Sequence, residues 1–150
     1  MPYLTVPSPL GDLTLFEDNG HLVALDWGAV EGESETPLLE EAARQLEAYF
    51  DGRLRRFDLP LAPAGTAFQK RVWAVMQTIP YGQVLRYGDV ARLLASGPRA
   101  VGGACGRNPL PILIPCHRIV GSHGALGGYS GQDGIETKRF LLHLEQGEQS

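Results

Sequence analysis

A cluster of helix-breaking and strand-breaking residues near the middle of the chain limits what this sequence can form. Pro60, Pro63 and Gly65 interrupt regular structure at that point. The residues before the cluster contain strand-like apolar runs, whereas most residues after it repeat at the helical spacing. We therefore predict an α+β protein with two small domains, at residues 1–62 and 63–150.

The first part begins with the signature of a β-hairpin. Two strand-like runs, Leu13–Phe16 and His21–Trp27, are separated by a segment that contains Asn19-Gly20. Asn-Gly is a strong hairpin signal because both residues tolerate the positive φ of a tight turn. These runs predict a small antiparallel sheet.

A helix is predicted to follow the hairpin. Thr36 can cap it, Pro37 suits its first position and Gly52 ends it. Between these limits the apolar residues recur at helical spacing. Residues 54–61 are expected to add a further strand before the domain boundary.

The second part is predicted to be mostly helical. The capping box at Thr66–Gln69 begins one helix, and residues from about 135 to 146 form the last one. Between them, a short helix at about 87–94 and another beginning near Arg99 are joined by a turn that contains glycine. This pattern is typical of a helix-turn-helix in a winged-helix-like domain, although a helical hairpin packed in the core gives the same pattern.

The charge of the chain is distributed unevenly. The net charge is −4, but residues 1–62 carry four basic and twelve acidic residues, whereas residues 63–150 carry nine basic and five acidic ones. Such asymmetry indicates that the second part meets a polyanion. Residues 63–118 hold only Asp89 as an acid against seven basic residues: Lys70, Arg71, Arg86, Arg92, Arg99, Arg107 and Arg118.

Composition excludes several classes of protein. The two cysteines cannot form a disulfide framework, and the N-terminus lacks a secretory signal. No apolar stretch is long enough to span a membrane. We expect a soluble, intracellular protein with no membrane partner, cytoplasmic or, in a eukaryotic host, nuclear. The cysteines and the four histidines have no zinc-like spacing, so we expect no metal and no cofactor.

Cys116 is the strongest candidate for chemistry. It follows an apolar run and Pro115, and it precedes His117 and Arg118, whose positive charge favours a thiolate. On an extended chain neighbouring side chains point in opposite directions, so His117 would reach the sulfur through a water. An acid then has to orient the histidine. Glu145 and Glu136 are the candidates, and the helical pattern favours Glu145. Cys105, among small helical residues, is expected to be a buried core thiol.

The segment Ile114-Pro115-Cys116-His117-Arg118-Ile119-Val120 resembles the active-site motif of the O6-alkylguanine-DNA alkyltransferases. The resemblance extends over most of residues 63–150. It includes Gly65–Gln69, Ile79–Gly82, Tyr87, Arg99–Gly102, Asn108-Pro109, Gly128–Gly131 and the helix from Lys138 to Glu145.

This resemblance implies DNA repair by irreversible, single-turnover transfer of an alkyl group to Cys116. His117 would be the general base, Glu145 its orienting acid and Asn108 the support of the cysteine loop. Tyr87 would donate a hydrogen bond to the leaving guanine or to the adjacent phosphate. The implied partner is alkylated double-stranded DNA, bound through its minor groove without sequence dependence by a monomer, with the damaged base flipped out.

The resemblance also implies two groups of contact residues. Arg99 would enter the base stack in place of the flipped base, and the implied DNA contacts as a set are Arg99, Ala100, Gly102, Gly103, Arg107 and Arg118. The pocket for the base would be lined by Pro111, Tyr129, Ser130 and Gly131.

Two other functions use the same residues. A Cys–His hydrolase or acyltransferase would explain a reactive Cys116, but it leaves the basic helical pair unused. A DNA-binding regulator would use that pair, with Cys116 acting as a sensor of alkylation or redox state. Multiple turnover on an ester would favour the first, and binding to one operator sequence without transfer of label would favour the second.

Overall fold

A computed structural model describes residues 1–32, 34–122 and 134–147 of the chain. The chain separates into two compact units, which we call unit 1 (Met1–Ala64) and unit 2 (Gly65–Ser150). Among the described residues, unit 1 holds a three-stranded sheet and one α-helix, and unit 2 holds four α-helices, one turn of 3₁₀ helix and a two-stranded sheet. The predicted α+β class is confirmed.

Unit 1 is built on an antiparallel sheet in the order β1 (Tyr3–Val6), β2 (Leu13–Asp18) and β3 (His21–Trp27). The predicted hairpin joins β2 to β3, and Asn19 and Gly20 adopt φ values of +51° and +76° at its turn. Strand β1 was not predicted from the sequence. Its four residues are too few for alternation to stand out from a loop.

One helix contacts this sheet, as predicted. Helix α1 (Pro37–Phe50) begins after Thr36, whose hydroxyl accepts a hydrogen bond from the Leu39 amide at 3.1 Å. Its buried face, which includes Leu46 and Tyr49, supplies the core of unit 1 with residues of β1 and β2.

The strand predicted at 54–61 is wrong. Only Leu61 pairs there, in a single parallel bridge to Leu22. The backbone of Asp58 is instead satisfied by a side chain, because its amide donates to Gln45 Oε1 at 2.9 Å and its carbonyl accepts from Gln45 Nε2 at 3.1 Å. At Asp58 these bonds leave no backbone group that needs a sheet partner.

Unit 2 begins with the predicted capping box. Helix α2 (Ala67–Met76) starts after Thr66, whose hydroxyl accepts from the Gln69 amide at 3.1 Å, while the Gln69 side chain accepts from the Thr66 amide at 2.9 Å. On its buried face, Trp73 is 1% exposed and donates its indole N–H to the carbonyl of Ala104 at 2.9 Å. This bond ties α2 to the helix that contains Ala104.

Two short helices follow at the predicted positions. Helix α3 (Tyr87–Leu93) and helix α4 (Pro98–Gly106) pack against each other as a helix-turn-helix. Ala95, rather than a glycine, adopts the left-handed backbone in the connecting turn, with φ of +52°. Their contact agrees with the helix-turn-helix interpretation.

A two-stranded parallel sheet that was not predicted brings distant parts of unit 2 together. Strand β4 (Leu85–Arg86) directly precedes α3, and strand β5 (Ile119–Val120) directly follows the cysteine motif. Helix α5 (Ile135–Gln146) completes the unit, as predicted. In the described part of the chain, no helix has the length and apolar character needed to cross a membrane.

Candidate functional site

Unit 2 contains a cavity of about 750 Å³ between the helical pair and the cysteine motif. Its wall combines basic, aromatic and thiol side chains. The described residues that line it are Arg86, Tyr87, Gly88, Asp89, Arg92, Pro98, Arg99, Gly102, Cys105, Gly106, Cys116, Gly121 and Ser122. The cavity volume lies within the range of sites that enclose a small ligand.

Cys116 reaches this cavity from one turn of 3₁₀ helix, Cys116–Arg118. The expectation of an extended chain at this point is wrong. The Cys116 amide donates to the Ile114 carbonyl at 2.8 Å, and the Arg118 amide donates to the Pro115 carbonyl at 3.0 Å. These bonds tighten the backbone into a turn. The residue is 3% exposed, so the cavity is where a reactant can meet it.

Asn108 supports the loop before the cysteine, as the resemblance implies. Its Nδ2 donates to the Ile114 carbonyl at 2.9 Å, and its Oδ1 accepts from the Leu110 amide at 2.9 Å. The Ile114 carbonyl therefore accepts both this bond and the bond from the Cys116 amide. Within the loop, Ile112 is 1% exposed and has φ of +74°, a backbone region that β-branched residues rarely adopt.

His117 and Glu145 form a buried pair. Nε2 of His117 lies 2.6 Å from Oε2 of Glu145, and neither residue is more than 5% exposed. Burial alone raises the pKa of Glu145, but the hydrogen bonds and charges of His117 and Arg118 outweigh it and lower the pKa to about 2. Burial lowers the pKa of His117, against the opposing effect of Glu145. The pair is thus a carboxylate beside a neutral imidazole.

This protonation state fixes the tautomer of the histidine. A carboxylate only accepts hydrogen bonds, so the neutral ring carries its proton on Nε2 and leaves a lone pair on Nδ1. Nδ1 is buried, and no described residue gives it a hydrogen-bond partner. His117 is therefore arranged as a base at Nδ1. Glu136, the other candidate acid, is exposed and pairs with Arg139 at 2.6 Å, so it has no part in this site.

Arg118 does not lie where a DNA contact would have to be. It is 7% exposed, its Nε and Nη2 donate to the two carboxylate oxygens of Glu145 at 2.7 and 2.9 Å, and its Nη1 donates to the Ile79 carbonyl at 2.7 Å. Each of the three guanidinium nitrogens therefore donates a hydrogen bond within unit 2. The assignment of Arg118 to the DNA-contact set is therefore wrong, because its charge is neutralised inside unit 2.

The other residues expected to contact DNA have mixed exposure. Arg99, Ala100, Gly103 and Arg107 are exposed, and Gly102 is half-buried on the cavity side of α4. Arg99 is the second residue of α4 and also lines the cavity. The exposed part of α4 thus combines arginine with residues that have small side chains.

Tyr87 and Lys138 lie close to the cavity thiols. Burial, with a smaller effect of Cys105 and Cys116, raises the pKa of Tyr87 to about 12, so the phenol keeps its proton at neutral pH. The ammonium of Lys138, which is fully buried, lies 5.6 Å from the centre of the Tyr87 ring and donates to the Ile119 carbonyl at 2.6 Å. No role of its own was predicted for Lys138 from the sequence. Its helical spacing from Glu145 could have indicated that both face inward.

The remaining expected pocket residues fall outside the wall described here. Pro111 is buried and is not among the described residues that line the cavity. Tyr129, Ser130 and Gly131 lie outside the residues that the structure describes. Over the described ranges, no group of three or more His, Cys, Asp or Glu residues could hold a metal ion.

Comparisons with known proteins give the same family for both units. Residues 1–63 match the ribonuclease-like domain of 6-O-methylguanine DNA methyltransferase, and residues 67–147 match its DNA binding domain. The chain is 42% identical to a methylated-DNA–protein-cysteine methyltransferase of Methanosarcina acetivorans, over 97% of this chain and 98% of that one. It is 41% identical to the constitutive enzyme of that name from Bacillus subtilis, over 96% and 94%.

Solved structures agree. The Mycobacterium tuberculosis OGT protein, crystallised with DNA, superposes with a TM-score of 0.85 at 42% identity over 97% of this chain and 92% of that one. An O6-methylguanine DNA methyltransferase from Methanococcus jannaschii superposes at 0.70 with 30% identity, over 98% and 95%. On these matches and the site geometry, the chain belongs to the O6-methylguanine-DNA methyltransferase family.

Proposed function

We propose that this chain repairs DNA by one irreversible transfer of an alkyl group from O6-alkylguanine in double-stranded DNA to the sulfur of Cys116. The observation that carries the proposal is that Cys116 lines a cavity while the next residue, His117, is held as a neutral base by Glu145. A nucleophile, a base and an acid that orients the base are thus contributed by one short stretch and one helix.

The chemistry balances without a cofactor. The Cys116 thiol gives its proton, through a water, to Nδ1 of His117, and the thiolate attacks the alkyl carbon. A sulfur–carbon bond forms as the bond between that carbon and O6 breaks, and the guanine leaves with the electron pair. The proton that His117 took from Cys116 is returned through water to the departing guanine, so the histidine is neutral again. Tyr87, which stays protonated, donates a hydrogen bond to the departing base. The thioether product is stable, so each molecule reacts once.

The damaged base has to leave the duplex to meet Cys116, since its alkyl carbon is unreachable inside the stack. Unstacking costs roughly a few kcal/mol, which contacts to the DNA backbone and groove offset. The exposed small residues of α4 suit close approach in the minor groove. Arg99, which is exposed and lines the cavity, would occupy the space that the flipped base leaves. Such contacts do not depend on sequence, and one monomer supplies them all.

Intact-protein mass spectrometry tests the transfer. After mixing with duplex DNA that contains O6-methylguanine, we expect a mass gain of one methyl group, located on Cys116 by peptide mapping. Cys116→Ser should show none, whereas Cys105→Ser, which removes the other cavity thiol, should still gain the methyl group. Multiple turnover on an ester, or label on another residue, would contradict the proposal.

Arg99→Ala tests the proposed flipping role. We expect this variant to lose most of its reaction rate on duplex DNA while it reacts with free O6-methylguanine base at nearly the rate of the unmodified protein, because the free base needs no extrusion. A matched control is Arg107→Ala, which removes an exposed arginine that does not line the described cavity wall. Equal losses on both substrates for Arg99→Ala would refute the role.

A further inference from the structure

The segment Ile79–Gly82 and Arg118 enclose the end of α5 that carries Glu145. Arg118 joins them, because it donates to the Ile79 carbonyl at 2.7 Å and to both carboxylate oxygens of Glu145. The face of the Tyr81 ring lies 5.9 Å from the guanidinium carbon. The charge of a buried arginine is thus matched by a carboxylate, a carbonyl and an aromatic face.

The same segment also contacts the backbone of α5. The Tyr81 hydroxyl donates to the Leu144 carbonyl at 3.4 Å, next to Glu145 along the helix. Gly82 has φ of +81°, and a Cβ at this position would lie 3.2 Å from the carbonyl oxygen of Glu145. A side chain there is disfavoured both by the backbone conformation and by the closeness of the helix.

We propose that Arg118, anchored by Ile79–Gly82, is a positioning residue that holds the Glu145 carboxylate. His117 then keeps its proton on Nε2 and the lone pair that accepts a proton on Nδ1. This inference rests on the proposed function, in which His117 takes the proton of Cys116. Arg118 itself is not among the described residues that line the cavity, and the hydrogen bonds given above for it go to Glu145 and Ile79.

The physical reason is the fate of Glu145 without its arginine. A buried carboxylate that loses a bidentate cation is poorly solvated and binds a proton more readily. A protonated Glu145 can donate to Nε2 of His117, and the neutral ring then carries its own proton on Nδ1. In that tautomer Nδ1 can no longer accept the proton of Cys116.

The charged groups near this pair come from two elements. His117 and Arg118 lie on the cysteine turn, and Glu145 and Lys138 lie on α5. The positive charges of Arg118 and Lys138 both lower the pKa of His117. The segment Ile79–Gly82 adds Tyr81 but no charged side chain. Arg118 is the cation that contacts the carboxylate directly.

The test is the pH profile of single-turnover methyl transfer at saturating methylated duplex. Arg118→Met keeps much of the apolar volume and removes the charge. We expect the rate to fall by about 10-fold to 100-fold, part of what a positioned general base contributes, and the acidic limb of the profile to move to higher pH. Affinity for unmodified duplex should stay the same. Arg118→Lys, which restores the charge without the bidentate geometry, should recover part of the rate and of the shift.

Milder variants cover the case in which Arg118→Met does not fold. Gly82→Ala and Tyr81→Phe leave Arg118 in place and disturb the contacts to α5. Both are expected to move the acidic limb in the same direction, Gly82→Ala by more. Loss of DNA affinity in Arg118→Met, or an unmoved pH profile in the folded variants, would overturn the inference.

A second measurement separates this inference from the proposed function. The rate at which iodoacetamide alkylates Cys116 is measured against pH without DNA, with Cys116→Ser as the blank. A shifted profile in Arg118→Met supports the positioning role whatever the natural substrate is. If the unmodified protein gains no methyl group from DNA, the proposed function fails. If it gains the group and the variants keep its pH profiles, only the inference fails.

Discussion

The two units bury different kinds of polar group. Among the described residues, the buried polar side chains of unit 1 are neutral, Thr14 and Gln45, and each is hydrogen-bonded to backbone or side-chain partners. Those of unit 2 include four ionisable groups: His117, Arg118, Lys138 and Glu145. Burying charge is costly unless it is paired, so a core of this composition is a poor way to gain stability. The comparison indicates that the buried polar groups of unit 1 serve folding. Those of unit 2 lower the free energy of unfolding relative to an apolar core but serve the reaction at Cys116.

The largest expected effect comes from breaking the charged cluster of unit 2. Glu145→Gln leaves Arg118 buried without its counter-ion and His117 without the carboxylate that fixes its tautomer. We expect a loss of about 3–5 kcal/mol in the free energy of unfolding. We expect a fall of about 10²-fold or more in the rate of methyl transfer. Chemical denaturation and single-turnover kinetics measure the two.

Gln45→Leu is the matched control in unit 1. It removes the side chain that satisfies both backbone groups of Asp58, so we expect a loss of about 1–3 kcal/mol in the free energy of unfolding. The transfer rate should stay the same. A variant of unit 1 that slowed transfer as much as Glu145→Gln would remove the distinction between the units.

Acid should expose the same difference. The pKa of Glu145 is about 2 in the folded protein against an ordinary 4.5. Its contribution to the free energy of unfolding is therefore present above pH 4.5 and is lost as the pH falls toward 2, by about 3 kcal/mol in total. The pKa of His117 is also lowered by burial, so its contribution is present above pH 6.5 and declines as the pH falls below it. Denaturation curves recorded between pH 7 and pH 3 measure the combined loss in the free energy of unfolding. In Glu145→Gln this free energy should depend less on pH in the lower part of that range.

Unit 1 offers a carboxyl with a similar pKa in a different setting. Hydrogen bonds from Arg44 and Gln45 lower the pKa of Glu41 to about 2, but the Glu41 side chain is 42% exposed. Added salt screens an exposed pair far more than a buried one. We therefore expect the acid sensitivity that comes from Glu145 to persist in high salt. Its disappearance in salt would mean that the buried cluster is open to solvent.

The smallest effect concerns the left-handed residues of the two units. Among the described non-glycine residues, this conformation falls in unit 1 on Asn19, which tolerates it, and in unit 2 on Ala95 and on the buried, β-branched Ile112. Ile112→Gly and Ile112→Ala both remove the side chain, but only Gly relieves the backbone. We expect Gly to be the more stable variant by about 1 kcal/mol, the reverse of the usual order. Thermal unfolding of the two variants measures this difference. If Ile112→Ala were more stable than Ile112→Gly, the result would contradict the observed φ.

Local signals explain most of what could be predicted from the sequence. The turn at Asn19-Gly20, the cap at Thr36 and the capping box at Thr66 each act within four residues, and each element is found at its predicted place. The inward direction of Glu145 followed from the period of one helix. In such cases the residues that determine the structure are neighbours in the chain.

Several of the failures depend on distant partners. The local bonds of the Cys116 turn are followed by the pairing of Ile119 with Leu85, a contact that no short window contains. Arg118 lies 27 residues from Glu145, so its burial could not be read from a rule that places arginine at the surface. Lys138 differs, because its helical spacing from Glu145 was a local sign that it faces inward, although the Ile119 carbonyl to which it donates is distant in the chain.

The short pairing of β4 with β5 has a consequence for how this protein can change over evolution. It fixes the start of α3, and therefore Tyr87, against the chain that leaves the cysteine turn. The connection at residues 94–97, between α3 and α4, lies outside that fixed frame. Insertions or deletions there can change the affinity for a duplex while the distances between the reacting groups stay the same. Lesion chemistry and nucleic-acid affinity can therefore evolve independently.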